Sequence, residues 1–557
     1  MPKIRLPRIR IPLRGITGAL CGIIATAFAL GIAELVAALV RPQASPVITV
    51  GQSVIDATPT PVKEWAIAHF GFNDKLVLQS GILVILAIFA AIVGVIAVRR
   101  LLFGVIGVAI FGVVAIAAAA SRPVAQLLDV LPAIAAAAAG AIALVVLVRA
   151  LHRADLVSKT ATLAGDTESD TASSDNVAKD SKQPQPESEQ PGQSEHRELR
   201  SSPSRRSLLI AGSVFTGAAI ATESVGRWLQ GVLYNARASR EAVKLPVPVD
   251  PAPPIPAGAD LKLSGVTSYV TPNSTFYKVD TTLVVPQVRT QDWQLRIHGM
   301  VSEPITFSFD ELLKLPMIER MITMTCVSNE VGDRLVGNAT WLGVALGPLL
   351  KQRGISRKAD QLVCRSVDGM TIGAPLAAIM DGRDALLAVG MNGEPLPFNN
   401  GFPARVVVPG LYGYCSACKW VVDMEATTFN AYDAYWVQRD WAKVAPIKAS
   451  ARIETPQPLS SQSQGRINVS GVAWAQHNGI SKVEVKIDDG PWQQAELGTA
   501  MSKDVWRQWV YRWDAPPGFH RITARATDGD GQLQTADRAK PFPNGSSGWH
   551  NIVVTIE

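Results

Sequence analysis

Histidine and cysteine are scarce: the 557-residue chain holds 7 of the first and 5 of the second. So few cysteines over this length exclude a disulfide framework. Cys415 and Cys418 stand in a C-x-x-C arrangement, yet no second pair or suitably spaced histidine completes a zinc site. A labile disulfide and two unrelated small loop residues both fit them. None of the histidines (His69, His152, His196, His298, His477, His520, His550) falls inside a long apolar run. A bis-histidine haem within a membrane bundle needs ligands there, so haem b is excluded. Basic residues exceed acidic ones by only 53 to 47, and no basic patch is interleaved with aromatics, which argues against nucleic acid as a partner. The apolar runs carry almost no paired charges, which weighs against a transporter.

Long apolar runs are abundant. Segments 15–40, 75–98, 101–120 and 123–150 are each apolar over about the ~20 residues that a helix needs to cross a bilayer. Lys3, Arg5, Arg8, Arg10 and Arg14 precede the first, Arg99 and Arg100 separate the second from the third, and Arg149, His152 and Arg153 follow the fourth. The positive-inside rule makes these places cytoplasmic. Glu34, near the end of the first span, reads as a solvated carboxylate rather than a functional one. Alanine-rich stretches at 115–120 and 135–139 allow close helix packing. Residues 1–154 are thus expected to form a four-helix transmembrane region.

Residues 155–204 are rich in Ser, Asp, Glu, Gln, Lys and Pro and nearly free of aromatics. That composition predicts a disordered cytoplasmic linker. It ends at Ser204-Arg205-Arg206-Ser207-Leu208-Leu209, before an apolar stretch, which resembles a twin-arginine export signal placed inside the chain. An ordinary fifth span flanked by two arginines fits the same residues. On either reading 205–241 holds a fifth transmembrane helix, and everything after about residue 225 lies outside the cytoplasm. Cleavage near Ala236-Arg237-Ala238 would free the rest of the chain from its anchor, so retention is expected. A proline-rich spacer follows at 242–257.

In 258–440, Arg320-Met321-Ile322-Thr323-Met324-Thr325 alternates like a buried strand and delivers Cys326 to a loop. A lone cysteine there also reads as a small buried hydrophobe. The context is decisive. The run from Cys326 through Asn329, Gly337, Asn338, Thr340 and Trp341 to Leu346, followed by Asn400-Gly401-Phe402-Pro403-Ala404-Arg405 and Pro409-Gly410-Leu411-Tyr412-Gly413-Tyr414, resembles the sulfite oxidase family of molybdopterin enzymes over roughly 258–557. The resemblance implies a molybdenum-molybdopterin cofactor with Cys326 as metal ligand and catalytic residue, and a soft thiolate suits that metal. It also implies pterin or phosphate contacts from Asn273, Tyr277, Lys278, Asn400, Arg405, Ser416 and Lys419. An Asx turn before a packed aromatic is the plain alternative around Asn273. An arginine–carboxylate pair is the alternative for Arg405, although a buried arginine beside the apolar run Val406-Val407-Val408 suits a phosphate.

Residues 441–557 show short alternating runs separated by Asp489-Gly490, Pro517-Gly518 and Asp528-Gly529 turns, the spacing of a β-sandwich. This region resembles the family's immunoglobulin-like dimerisation domain and implies a homodimer. His520 and His550 have no second ligand at useful spacing and read as structural. The expected fold class is therefore multidomain: an N-terminal all-α transmembrane bundle, an α+β sulfite-oxidase-type molybdopterin domain and an immunoglobulin-like β-sandwich.

The expected function is a cell-membrane, multi-pass oxidoreductase with extracytoplasmic catalytic domains, exchanging an oxygen atom or two electrons with a small-molecule substrate. Its implied partners are membrane lipid, the twin-arginine export machinery and a cytochrome or quinone-linked electron carrier. A membrane-tethered binding protein that keeps the fold without catalysis is the alternative. The family's catalytic tyrosine is replaced by Val389, and two of its arginines by Glu330 and Lys278. Sulfite, a dianion, is therefore expected to be a poor substrate, and a less charged S- or N-oxide a better one.

Overall fold

The computed structural model describes residues 13–59, 62, 74–122, 125–169 and 203–557. They fall into two compact units, Met1–Leu233 and Tyr234–Glu557.

The first unit is helical: α1 (Leu13–Val40), α2 (Pro46–Ala57), α3 (Asp74–Arg99), α4 (Leu101–Ala120), α5 (Leu131–Ser169) and α6 (Pro203–Leu233). Among the described residues five segments, Arg14–Val40, Val77–Arg99, Leu101–Ala120, Leu127–Ala154 and Arg206–Glu241, are long and apolar enough to cross a membrane. Their outward residues, such as Ile85, Leu102 and Ile142, are exposed and apolar, as on helices that are hydrophobic all round. Helix α1 packs against α3, α5 and α6. A Cβ on Gly22 would lie 2.0 Å from the Ala90 carbonyl oxygen, so only glycine lets α1 and α3 approach backbone to backbone.

Two polar contacts differ from the sequence reading. Glu34 is not simply solvated: it accepts hydrogen bonds from Ser45 Oγ at 2.5 Å and Gln230 Nε2 at 2.9 Å. Arg41 Nε donates to the buried Asp129 Oδ1 at 2.6 Å, an ion pair between residues 88 positions apart. Helix α5 continues to Ser169, into the segment expected to be a linker. The rest of that linker, 170–202, and the basic residues Lys3, Arg5, Arg8 and Arg10 lie outside the described residues.

The second unit contains four sheets. Strands β1 (Gln294–Gly299), β2 (Ile305–Ser308), β5 (Gln361–Ser366), β6 (Thr371–Pro375) and β10 (Val421–Thr427) are ordered β2-β1-β10-β5-β6, with β1 and β10 parallel. Strands β3 (Met317–Thr325), β4 (Val336–Ala345), β7 (Leu386–Met391) and β8 (Glu394–Pro395) form a second sheet in that order, and β9 (Arg405–Val407) pairs with β7. The helices between them are single turns or little more, Phe309–Leu313, Leu346–Gln352 and Leu376–Met380. The first is started by a capping box in which Ser308 and Glu311 satisfy each other's backbone donors. One large apolar core joins the first sheet to the inner faces of β4 and β7.

The proline-rich stretch at 242–257 is tied to this domain and not a free spacer. Val249 N–H donates to Met317 O at 2.8 Å, and Glu319 N–H donates to Asp250 O at 2.9 Å, so it borders β3.

The C-terminal region has two further sheets. One is β11 (Ser450–Thr455), β13 (Gly465–Trp474), β17 (Arg507–Ala515) and β16 (Glu496–Leu497). The other is β12 (Ser461–Gln462), β19 (His550–Ile556), β18 (Gly518–Asp528), β14 (Ile480–Ile487) and β15 (Gln493–Gln494). Residues of both, including Val469, Val485, Trp509, Ile522 and Val554, share one buried core. Alternation of apolar and polar residues supplies a face to each sheet.

Candidate functional site

Strand β3 is buried from Met321 to Thr325. It pairs in antiparallel register with β4, ending at Thr325 opposite Val336, so the ten residues between them must form a loop at one end of the sheet. Cys326 is the first residue of that loop. Its N–H donates to Leu335 O at 2.9 Å, Asn329 N–H donates to Cys326 O at 3.1 Å, and Leu335 N–H donates to Asn329 Oδ1 at 2.8 Å, which close the loop on itself. Burial raises the Cys326 thiol above its usual pKa, while hydrogen bonds from the Ser328 N–H and hydroxyl act in the opposite direction. Ser328 was not among the sequence candidates, although its position two residues after the cysteine is the signal that marks it.

Across the site Arg405, at the start of β9, is buried. Its Nη1 donates to Asn400 O at 3.0 Å, and its guanidinium lies 5.1 Å from the centre of the Trp341 ring. Among the described residues no carboxylate lies within ion-pair distance of it. Burial accordingly lowers its pKa to about 10. The neighbouring Asn400 Oδ1 is buried with no hydrogen-bond partner among the described residues. Gly401, at φ 111°, is required here because a Cβ would sit 3.0 Å from Arg405 Cβ and 3.2 Å from Lys419 Cα.

The other expected residues divide by their partners. Tyr277 stacks on Phe276 at 5.1 Å between ring centres, and burial first, then the charge of Cys326, pushes its pKa upward. Lys419 faces the same centre electrostatically, but its Nζ is held by Asp280 Oδ2 at 2.7 Å and Asn399 O at 3.0 Å. Ser416 is buried and its hydroxyl lies 3.1 Å from Leu411 O and 3.0 Å from Tyr412 O, which it can serve as donor within its own turn. Asn273 is engaged on both sides of its amide: Nδ2 donates to Glu394 Oε1 at 2.6 Å and Met391 O at 3.2 Å, and Oδ1 accepts from Asn392 Nδ2 at 2.8 Å. That clamp holds the turn in which Asn392 and Gly393 take φ of 51° and 79°. Lys278 is exposed. The fold thus gathers Cys326, Tyr277, Asn400, Arg405 and Lys419, while Asn273 and Ser416 serve local structure and Lys278 faces outward. Cys415 and Cys418 are free, buried thiols.

The C-terminal region closes over the Cys326 loop, which sequence reasoning missed. Arg452 Nη1 donates to Asp333 O at 2.7 Å, and Ser546 Oγ donates to Asn329 O at 2.6 Å. Beside the loop is a small pocket, open to solvent, whose walls include Thr325, Asn329, Tyr412, Lys448, Trp474 and Ser546. Burial first, and then the charges of Cys326 and Cys415, push the Tyr412 phenol up to about 12, with only the Lys448 N–H opposing them. Glu330 and Val389 are not part of the cavity wall: Glu330 is exposed and Val389 lies in the core.

The donor set fits an anionic, nitrogen-rich cofactor. A buried guanidinium without a carboxylate accepts an anion, and an unpartnered amide oxygen accepts an N–H. Among the described residues no group of three or more His, Cys, Asp or Glu could hold a metal ion, so a metal at Cys326 would need further ligands from the cofactor itself.

Comparison with known proteins agrees. Residues 282–436 match the oxidoreductase molybdopterin binding domain. Mitochondrial sulfite oxidase of Rattus norvegicus is 28% identical over 342 residues, covering 52% of this chain and 62% of that protein. The uncharacterized oxidoreductase YuiH of Bacillus subtilis is 31% identical over 144 residues, covering 26% of this chain and 69% of that protein. The solved sulfane dehydrogenase SoxCD of Paracoccus pantotrophus aligns at a TM-score of 0.45 with 24% identity, over 53% of this chain and 85% of that one. This chain belongs to the sulfite oxidase family of molybdenum-molybdopterin oxidoreductases. It spans about 62% of the length of the mammalian sulfite oxidases it matches.

Proposed function

We propose that the protein is a membrane-anchored molybdopterin oxidoreductase that exchanges an oxygen atom or an electron pair with a small substrate outside the cytoplasm. The observation that carries the cofactor reading is the buried Arg405, with no carboxylate at ion-pair distance among the described residues, beside Asn400 Oδ1, which has no partner among them. Cys326 would ligate the metal, Arg405 and Asn400 would hold the pterin and its phosphate, and Lys419, pinned by Asp280, would add positive potential. Molybdenum bound there would supply two-electron redox chemistry. The protein's part is to fix the thiolate, exclude water by burial and present the substrate. Five apolar helices and the basic clusters around them support anchoring with the catalytic part outside. The runs around Arg205-Arg206 support export through the twin-arginine route.

The substrate is proposed to be weakly charged, such as an S- or N-oxide reduced with two protons and two electrons from a cytochrome or quinone-linked carrier. Support comes from the cavity wall beside Cys326, where no arginine is found and the cation is Lys448. The exposed Glu330 lies off that wall. Metal analysis of detergent-purified protein tests the core of the reading: about one molybdenum per chain is expected, and none from a cofactor-competent host would end it. Steady-state assays with sulfite and a panel of sulfoxides test the substrate, and efficient sulfite turnover would overturn that part.

A further inference from the structure

We propose that Gln476, in the connection between β13 and β14 of the C-terminal region, is the positioning residue for Cys326: its amide fixes the last residues of β3 and with them the direction in which the thiol leaves the strand. This role rests on Cys326 as the metal ligand of the function proposed above, and it belongs to a residue outside the matched segment 282–436.

Strand β3 is the outer strand of its sheet, hydrogen-bonded within it to β4 alone. An open edge leaves backbone groups unpaired at the point where the strand delivers Cys326. The C-terminal region covers that edge. Thr323 N–H donates to Asp504 O at 2.9 Å, and Trp506 N–H donates to Thr323 Oγ1 at 2.9 Å. Gln476 Nε2 donates to Thr323 O at 3.1 Å and to Thr325 Oγ1 at 2.9 Å. The two covering segments are joined to each other, since His477 N–H donates to Lys503 O at 3.0 Å. Of these contacts only that of Gln476 reaches Thr325, the residue next to Cys326.

Gln476, Thr323 and Thr325 are all buried. A carbonyl oxygen only accepts, so the group that faces Thr323 O is the amide NH2, which fixes the orientation of the Gln476 side chain. The opposite atom, Gln476 Oε1, is buried with no partner among the described residues. A buried acceptor that lacks a donor is costly. Gln476 thus keeps its donors on β3 while its own oxygen goes unpaired, and local rules of this kind are broken where a side chain is held for position.

Gln534 shows the ordinary alternative. It is buried in the same region, its Oε1 accepts from Ala451 N–H and Ala526 N–H, and its Nε2 donates to Gly548 O. Each of these partners belongs to the C-terminal region itself. Cys326, by contrast, is held from both sides: Leu335 O accepts its N–H from the loop, and Gln476 holds the residue before it. A metal ligand needs its geometry kept to within about 0.5 Å by neighbours whose own rotamers are locked.

Gln476→Met keeps the length of the side chain and removes both donations, and Gln534→Met removes a buried amide of the same region away from β3 as the control. Full-length, detergent-purified protein from a host that lacks the cofactor is treated with iodoacetamide under native conditions, and mass spectrometry reads the labelling rate of each cysteine. A buried thiol reacts only when its segment opens. Gln476→Met is expected to speed labelling of Cys326 about tenfold, the loss of one or two hydrogen bonds, and to leave Cys364, Cys415 and Cys418 at their wild-type rates. Gln534→Met should leave Cys326 at its wild-type rate. In protein loaded with molybdenum, the thiolate-to-metal charge-transfer band should shift in Gln476→Met and stay in place in Gln534→Met. Thr325→Val removes the same hydrogen bond from the other side and should reproduce the band shift, which keeps the test decisive if the methionine variant folds poorly. Wild-type labelling of Cys326 or an unmoved band in Gln476→Met, or equal effects of the two methionine variants, would overturn the proposal. A chain that holds no molybdenum ends the redox reading, and the labelling rates then decide alone whether Gln476 fixes Cys326.

Discussion

The imidazole of His550, on the last strand, lies where a side chain on Gly332 would be: a Cβ at Gly332 would sit 2.4 Å from His550 Nε2. Gly332 takes φ of 92°, so it is glycine both for its backbone and for its neighbour. This contact fastens the loop that carries Cys326 to the C-terminal region.

Gly332→Ala should therefore destabilise the protein by about 2–4 kcal/mol, adding a steric clash to left-handed strain of order 1 kcal/mol. Gly382, at φ 99° with open space around its Cβ position, provides the comparison, and Gly382→Ala should cost only the strain. Thermal denaturation of both variants checks this, and equal melting temperatures would mean that the His550 contact is dispensable.

The same histidine predicts a pH dependence. Burial first, then the nearby Arg452 and Arg538, lower its folded pKa from 6.5 to about 4. Between these values the unfolded chain binds more protons than the folded one, so stability is fully present above about pH 6.5 and is lost as pH falls towards 4, by up to about 3 kcal/mol. Melting temperatures measured from pH 4 to 7 should fall on the acid side. His550→Asn should flatten that slope, and an unaltered slope would assign the acid sensitivity to other groups.

Arg405→Met should separate cofactor binding from folding. Removing a buried charge that has no carboxylate partner is close to neutral, or stabilising by about 1–2 kcal/mol, in cofactor-free protein. Molybdenum and pterin content should nevertheless drop sharply. A large loss of stability with cofactor retained would show that the guanidinium serves the fold.

Cys326→Ser should leave folding intact and abolish redox turnover, because a hydroxyl does not reproduce thiolate ligation to a soft metal. Circular dichroism together with turnover using an artificial electron donor checks both halves. Wild-type turnover in this variant would remove the central assignment.

Local pattern in the sequence determined much of this protein. The apolar runs announced the helices that could span a membrane, the alternation through Arg320 to Thr325 announced β3 and its delivery of Cys326 to a loop, and Asn392-Gly393 announced the turn between β7 and β8. These features depend on periodicity and on backbone conformations that few residues adopt, and both are readable within a short window. Tertiary structure alone decided which polar groups were already engaged. Lys419, expected as a phosphate ligand, meets Asp280, 139 positions away, and Asn273, expected as a pterin contact, bonds Glu394 and Asn392 through its amide. Arg405 is buried with no carboxylate at ion-pair distance among the described residues, and the Cys326 loop is covered by Ser546, 217 positions from the Asn329 carbonyl to which it donates. The physical reason is that a buried donor or acceptor takes whatever partner packing brings to it, and packing joins residues that no window of sequence contains.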